Sequence, residues 1–317
     1  MKNILTRDNF IKYMDNRFQW VPFFKLTNLC NFSCMHCCEK SGPNADPAFI
    51  RISDIKAILD TFSKSPRTMK IATITGGEPM TAYDRVSDNY IPNVLSAAAK
   101  RGYVIELKTN GAWAIGKKSE QIFSDINNIL VKNPKIIMVY HLSLDKYHPY
   151  SDITTARIIK WFVENKNITP DSLIHIFYDD YHRLADMMVD MAGRDNILVD
   201  FNTDIPEKFK SLPIWKIRDH NRFLCTEKYR CIDNIGRAKD NNIGTKTTGL
   251  LDILNSTDTV KPIMFDAVGN ATLFACNDFG ITTPYHDKSG NVKNLFKIKF
   301  ELFAAAYRQY LIESQMR

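Results

Sequence analysis

Three cysteines, Cys30, Cys34 and Cys37, stand in a C-x3-C-x2-C array just after an apolar, strand-like run at 20–27. Thiolates at this spacing can converge on one iron-sulfur cube. They supply three ligands where a closed cluster or a structural zinc takes four, so one metal corner stays open for a small molecule. Zinc fits less well, because its knuckles bring C-x2-C pairs with a second pair or His-x3-His nearby, and His36 sits between ligands where it can hardly be the fourth. A lone buried cysteine behaves as a small hydrophobe, but four cysteines within nine residues of a polar loop, counting Cys38, do not read as core packing. Disulfides are disfavoured by the sparse remaining cysteines and by the lack of a leader-like stretch ahead of the array, so the expected compartment is reducing and cytoplasmic.

Composition sets outer bounds. The chain has 317 residues, 44% hydrophobic and 24% charged, with a formal net charge of +7. That describes a globular protein of one large domain, or a domain with an appendage, able to bury a substantial core. No run of 18 apolar residues occurs, so no membrane-spanning helix is expected. Lys and Arg are scattered without a basic block, which allows a polyanionic substrate but does not call for nucleic acid.

Strand-like runs rich in Ile, Val, Phe or Tyr fall near 22–28, 70–75, 103–109, 136–143, 173–178 and 197–202. Amphipathic stretches lie between them at 52–59, 91–101, 119–132, 153–165 and 181–192. Six β-α units with short connections predict a parallel sheet with right-handed crossovers, and in such sheets ligands sit at the carboxyl ends of the strands. Several polar motifs stand at those ends: Gly76-Gly77-Glu78-Pro79, Thr109-Asn110-Gly111 and Ser143-Leu144-Asp145.

In this order, after the cysteine array with His36 before its third cysteine, these motifs resemble the signature of the radical S-adenosylmethionine (SAM) superfamily, over roughly the first two-thirds of the chain. The resemblance implies an α/β fold, a partial (β/α)6 barrel of the TIM type with parallel strands. It implies a 4Fe-4S cluster on Cys30, Cys34 and Cys37, with SAM chelated at the open iron. One electron then cleaves SAM to a 5′-deoxyadenosyl radical, which takes hydrogen from an unactivated carbon, while the protein positions the reactants. Gly76 and Gly77, lacking β-carbons, let backbone approach the methionine moiety, Glu78 partners its ammonium, and Pro79 stiffens the turn. Thr109 and Ser143 are placed toward the SAM carboxylate or ribose with Asp145 in support, and His36 lies against the adenine or contributes backbone alone. The plain alternative is that Thr109-Asn110-Gly111 is a turn and that Ser143 and Asp145 start a helix cap. His141 and His148 flank the fourth strand end, where either meets substrate or is simply a satisfied histidine.

Beyond about residue 205 the alternation stops, which divides the chain into a barrel at 1–205 and a cysteine-containing extension at 206–317, a substrate cap or the seat of an auxiliary cluster. The extension holds Cys225 and Cys231, a G-R-A element at Gly236-Arg237-Ala238, a hairpin at 261–276 turning through Gly269-Asn270 and ending at Cys276, and a terminal amphipathic helix near 299–311 with a core-facing aromatic stripe. It resembles a reduced SPASM or twitch extension. Three roles stay open for its cysteines. They hold one auxiliary 4Fe-4S cluster, or Cys231 or Cys225 donates a hydrogen atom to a substrate radical, or they are structural. Cys38, adjoining Cys37, is read as supporting the loop rather than joining the cube.

The combined expectation is a radical SAM enzyme acting on a peptide or a small polar molecule, reduced by a partner such as flavodoxin or ferredoxin. Epimerisation with a cysteine hydrogen donor is its sharper form. Its rivals are a peptide-maturing enzyme that crosslinks or oxidises with one auxiliary cluster, a tRNA-modifying enzyme, and a non-catalytic iron-sulfur or zinc module that senses redox state.

Overall fold

The computed structural model describes residues 5–197, 199–201, 214–217, 222–228, 236–241, 250–256, 258–274 and 281–316. Along the chain the elements run α1 (Arg7–Arg17), β1 (Gln19–Lys25), α2 (Ile52–Ser63), β2 (Ile71–Thr75), α3 (Ala82–Arg85), α4 (Tyr90–Ala99), β3 (Val104–Thr109), α5 (Ser119–Lys132), β4 (Met138–Leu144), α6 (Ser151–Glu164) and β5 (Leu173–Tyr178). There follow α7 (Tyr181–Asp195), β6 (Val199–Phe201), β7 (Ile214–Ile217), β8 (Phe223–Lys228), α8 (Gly236–Asp240), α9 (Leu250–Asn255), β9 (Val260–Asp266), β10 (Asn270–Leu273), β11 (Thr282–Pro284) and α10 (Leu295–Met316). They fall into two compact units, Met1–Gly77 with Cys231–Arg317, and Glu78–Arg230.

The first unit is built on β1, which is apolar on both faces and buried from Trp20 onward. Such a strand needs a neighbour on each side and cover above and below. β2 pairs with it in parallel on one side and β9 on the other, in register from Gln19 against Val260 to Lys25 against Asp266. β9, β10 and β11 continue as antiparallel neighbours. The hairpin expected at Gly269-Asn270 is formed, with Gly269 at φ +96°, a left-handed turn conformation that favours glycine. Its first strand completes the parallel sheet. Cys276 lies outside the described residues.

Helices α1 and α10 pack on this unit's aromatic core, to which α2 adds Phe62 against Phe265. Trp20 is fully buried, with ring centroids 5.2 Å from Phe303 of α10, 5.9 Å from Phe18 and 6.1 Å from Phe274. Phe10 of α1 packs 4.8 Å from Tyr310 and 5.6 Å from Tyr307. Burying each such ring contributes roughly 1.5–3 kcal/mol. α10 is longer than expected, and its aromatic stripe splits: Phe303 and Tyr310 are buried, while Phe296 and Phe300 are exposed. The sequence reading had no α1; its start is capped by Thr6, whose hydroxyl accepts from the Asn9 amide at 3.4 Å.

In the second unit β3, β4, β5 and β8 form a parallel sheet. On β4, Met138, Tyr140, Leu142 and Leu144 are buried and alternate with half-buried Val139, His141 and Ser143. The buried face meets α6, with Tyr140 6.1 Å from both Trp161 and Phe162. The last strand expected from sequence is corrected here. The run near 197–202 is β6, but β6 pairs antiparallel with β7, and β7 antiparallel with β8, so the parallel neighbour of β5 is β8. After the helix α7, two reversals bring the chain from β6 through β7 to β8, beside β5. Both units are thus α/β with parallel strands at their centre, and within neither does the sheet close on itself.

Candidate functional site

The cysteine loop leaves β1 at its carboxyl end. Three backbone bonds shape it: the Cys30 amide donates to Gly42 O at 3.1 Å, the Gly42 amide to Asn28 O at 3.3 Å, and the Cys37 amide to Cys34 O at 3.2 Å. Among the described residues these four cysteines form no disulfide; Cys30 and Cys34 are buried and Cys37 and Cys38 half-buried. The Phe32 amide points at Cys30 Sγ from 3.4 Å, a contact that favours a thiolate. His36 lies half-buried on the same loop.

Arg237 binds this loop at three places. Its Nε donates to Cys34 O at 2.8 Å, its Nη2 donates to Ser41 O, and its own amide donates to Cys37 O at 2.9 Å. Asn241, one turn on, donates from Nδ2 to Met35 O at 3.1 Å. The G-R-A element therefore grips the loop by its carbonyls, and fixes a guanidinium, always charged, on the loop that bears the three thiols. A reduced three-thiol donor set, an amide aimed at one sulfur and a fixed neighbouring cation suit an anionic iron-sulfur cluster.

At the end of β2, Gly77 donates its amide to Thr27 O at 2.8 Å. A Cβ on Gly77 would meet Leu29 O at 2.1 Å, and one on Gly76 would meet Thr27 O at 2.9 Å. The close approach this glycine pair permits in the structure is to the chain's own backbone at Thr27 and Leu29, in the segment between β1 and Cys30. Gly77→Ala is expected to force Leu29 aside, destabilising the fold by about 1–3 kcal/mol as overpacking does. Urea denaturation would read it as a lowered midpoint at unchanged slope, and iron retention should fall with it; an unchanged midpoint would refute the steric reading.

The second unit carries the other motifs. Pro79 opens a short 3-10 turn, and Glu78 caps it. Glu78 is buried, and its carboxylate accepts from the Met80 amide at 3.1 Å, the Asn110 amide at 2.8 Å and the Thr109 hydroxyl at 2.9 Å to each oxygen. Burial pushes its pKa up, opposed by the Asn110 and Met80 amides and the Thr109 hydroxyl. Thr109 Oγ1 also accepts from the Gly111 amide and from Trp113 Nε1, both at 3.0 Å. Its hydroxyl is thereby fully engaged. Asp145 is fully buried and accepts from the Tyr147 and His148 amides at 2.8 and 3.1 Å and from His148 Nδ1 at 2.9 Å. Ser143 sits on β4 on the face opposite the helices, in register with Phe177.

One row of that face is polar. Lys108, His141, His175 and Cys225 are register partners across β3, β4, β5 and β8. The two imidazole centroids are 5.1 Å apart, and both rings stack on Phe177, at 5.6 and 4.2 Å. Burial, with Lys108 nearby, holds His141 well below its ordinary pKa and His175 at about 4, so both are neutral. Cys225 is buried beside Leu173, Val139 and Phe223, and burial, with Glu227, pushes its thiol up to about 12. It stays S–H. Cys231 lies outside the described residues.

No family model matches the chain. It is similar to YydG of Bacillus subtilis (strain 168), provisionally named a peptide biosynthesis protein, with 27% identity over 147 residues, 46% of this chain and 41% of that protein. It is also similar to the provisionally named protein YfkA of the same organism, 34% identical over 92 residues, 27% of this chain and 22% of that one. Among solved structures it resembles Streptococcus suis SuiB bound to S-adenosylmethionine, at 13% identity and TM-score 0.39 over 89% of this chain and 64% of that chain. SuiB bound to precursor peptide SuiA gives 14% identity and TM-score 0.41, covering 91% and 66%. The chain spans about two-fifths and about one-fifth of the two curated relatives' lengths.

Of the residues singled out from sequence, the first unit thus holds Cys30, Cys34, His36, Cys37, Gly76 and Gly77, and the second Glu78, Pro79, Thr109, Ser143, Asp145 and Cys225. Two features escaped sequence reasoning. His175 sits in an apolar run that reads as an ordinary strand, and only register sets it beside His141. Arg237 belonged to a recognised tripeptide, but its grip on a loop some 200 residues earlier in the chain has no local signal. Among the described residues no helix is long and apolar enough to cross a membrane.

Proposed function

We propose that the chain is a radical SAM enzyme that modifies a peptide. The observation that carries this reading is the loop of three reduced thiols at the carboxyl end of β1, gripped by Arg237 and abutted by the Gly76-Gly77 end of β2. The order of the four motifs supports it, and similarity to a peptide biosynthesis protein over 46% of the chain favours a peptide over a sugar.

Cys30, Cys34 and Cys37 would hold a 4Fe-4S cluster, and Gly76, Gly77, Glu78, Pro79 and Ser143, with His36, are assigned to SAM. With SAM bound and one electron from a flavodoxin or ferredoxin, that cluster supplies hydrogen-atom abstraction from an unactivated carbon. The protein's own part is to bind and orient. Glu78 uses three donors on about four lone-pair sites, leaving an acceptor for the SAM ammonium. Thr109 holds that carboxylate in place, and Asp145 holds the turn that follows Ser143.

The finer reading is epimerisation of a peptide residue, with Cys225 returning hydrogen to the substrate α-carbon. The carbon radical takes H from S–H, and the resulting thiyl radical regains one electron from the reducing partner and one proton from solvent. Cys225 suits this better than it suits a second cluster, because burial disfavours the thiolate a metal needs. The thiol packs against half-buried Val139 and Phe223, so the peptide must reach it past those side chains. Cys225→Ala should leave SAM cleavage and iron content at parent levels and stop incorporation of solvent deuterium into the peptide. Loss of half the iron would instead assign Cys225 to an auxiliary cluster. If Cys225→Ala still epimerises while Cys231→Ala does not, Cys231 is the donor.

A further inference from the structure

The row Lys108, His141, His175 and Cys225 raises a question that SAM binding does not answer. Both ring nitrogens of His141 are buried and, among the described residues, have no hydrogen-bond partner. His175 Nε2 lies 3.3 Å from a Glu227 carboxylate oxygen, and among the described residues it makes no hydrogen bond. Leaving such groups unmet costs about 1–3 kcal/mol each, so a native protein that keeps them has a use for them. They are neighbours in register on one face, below Ser143, Phe177 and Glu227 and above Val139, Leu173 and Phe223.

We propose that this row is a binding strip for the backbone of an extended peptide, with His141 and His175 each hydrogen-bonding peptide groups and the chain running across the strands toward Cys225. It rests on the peptide-modifying reading above and names the residues that would receive the substrate. The chemistry of the pair selects the ligand class. A neutral imidazole presents one donor and one acceptor, and a peptide unit presents one acceptor and one donor. An anion would be met by donors alone, and here burial keeps both rings uncharged. Phe177 supplies a flat wall behind both rings, fixing their planes.

The spacing fits an extended chain. Adjacent strands lie about 4.8 Å apart, so Cys225, two strands from His141, is roughly 10 Å along the row. An extended peptide rises about 3.3 Å per residue, which sets the α-carbon about three residues from the unit held at His141 over Cys225.

The test uses the anaerobically reconstituted full chain with nitrogen-15-labelled histidine, and end-blocked pentaalanine as the probe, with acetate as the anionic control. The chain has 7 histidines, and the His141 signals are assigned by their loss in His141→Phe. Saturable movement of the His141 and His175 nitrogen resonances with pentaalanine, and none with acetate, is the expected result. His141→Gln, which keeps a donor and an acceptor, should bind within about fivefold of the parent. His141→Phe should weaken binding about tenfold to a hundredfold, as two lost neutral hydrogen bonds do. Movement with acetate alone, no movement with either probe, or equal affinity in both variants overturns the strip. Iron is measured on the same sample. A chain without iron that still answers pentaalanine sinks the cluster reading and keeps the strip, and a chain with iron that does not answer sinks the strip alone.

Discussion

Replacing Cys30, Cys34 and Cys37 together with alanine is expected to take the anaerobically reconstituted chain from about four irons to none. Thiolate ligands are the only ones this loop offers in a cubane-binding array, and removing all three leaves no anchor for any iron of that cluster. The change is not expected to unfold the protein. The loop's path is set by backbone bonds from Cys30, Gly42 and Cys37 and by Arg237, none of which uses a thiol. Far-UV circular dichroism should match the parent, and colour and iron should vanish. If the parent holds about eight irons and the variant about four, a second cluster exists and the C-terminal cysteines are its ligands.

Arg237→Ala should have the next largest effect. It removes side-chain bonds to Cys34 O and Ser41 O, each charge-assisted and worth about 1.5–3 kcal/mol, from the segment that bears the ligands. It also removes a positive charge beside an anionic site, which disfavours the added electron and lowers the reduction potential. We expect reconstituted Arg237→Ala to lose iron to a chelator at least about tenfold faster than the parent, as a loss of 1.4 kcal/mol or more implies. Its potential should be more negative. Arg237→Lys should restore much of the potential but little of the retention, because a lysine carries the charge without the two-point fork. Equal retention in all three proteins would reduce Arg237 to a surface tie.

The motifs and most strands were legible because both are local. An apolar run bounded by polar residues announces a strand, and the predicted runs at 70–75, 103–109, 136–143 and 173–178 lie within two residues of β2, β3, β4 and β5. Partners are not local. The run at 197–202 carries the same apolar signal whether it pairs parallel or antiparallel, and only the return through β7 and β8 decides. The run at 260–266 reads as one arm of a hairpin, which it is, and gives no sign that it also lies alongside β1. The site behaves likewise. Glu78 and Thr109 were legible as polar residues at strand ends, but their bond to each other joins two motifs 31 residues apart and has no local signal. Cys231 and Cys276 lie outside the described residues.

The most direct measurement of the central claim is the appearance of 5′-deoxyadenosine when the reconstituted chain, chemically reduced under anaerobic conditions, is given SAM. The account predicts that the parent forms it and that the variant lacking Cys30, Cys34 and Cys37 does not. A parent that binds about four irons yet leaves SAM intact would show an iron-sulfur module without this chemistry and contradict the account.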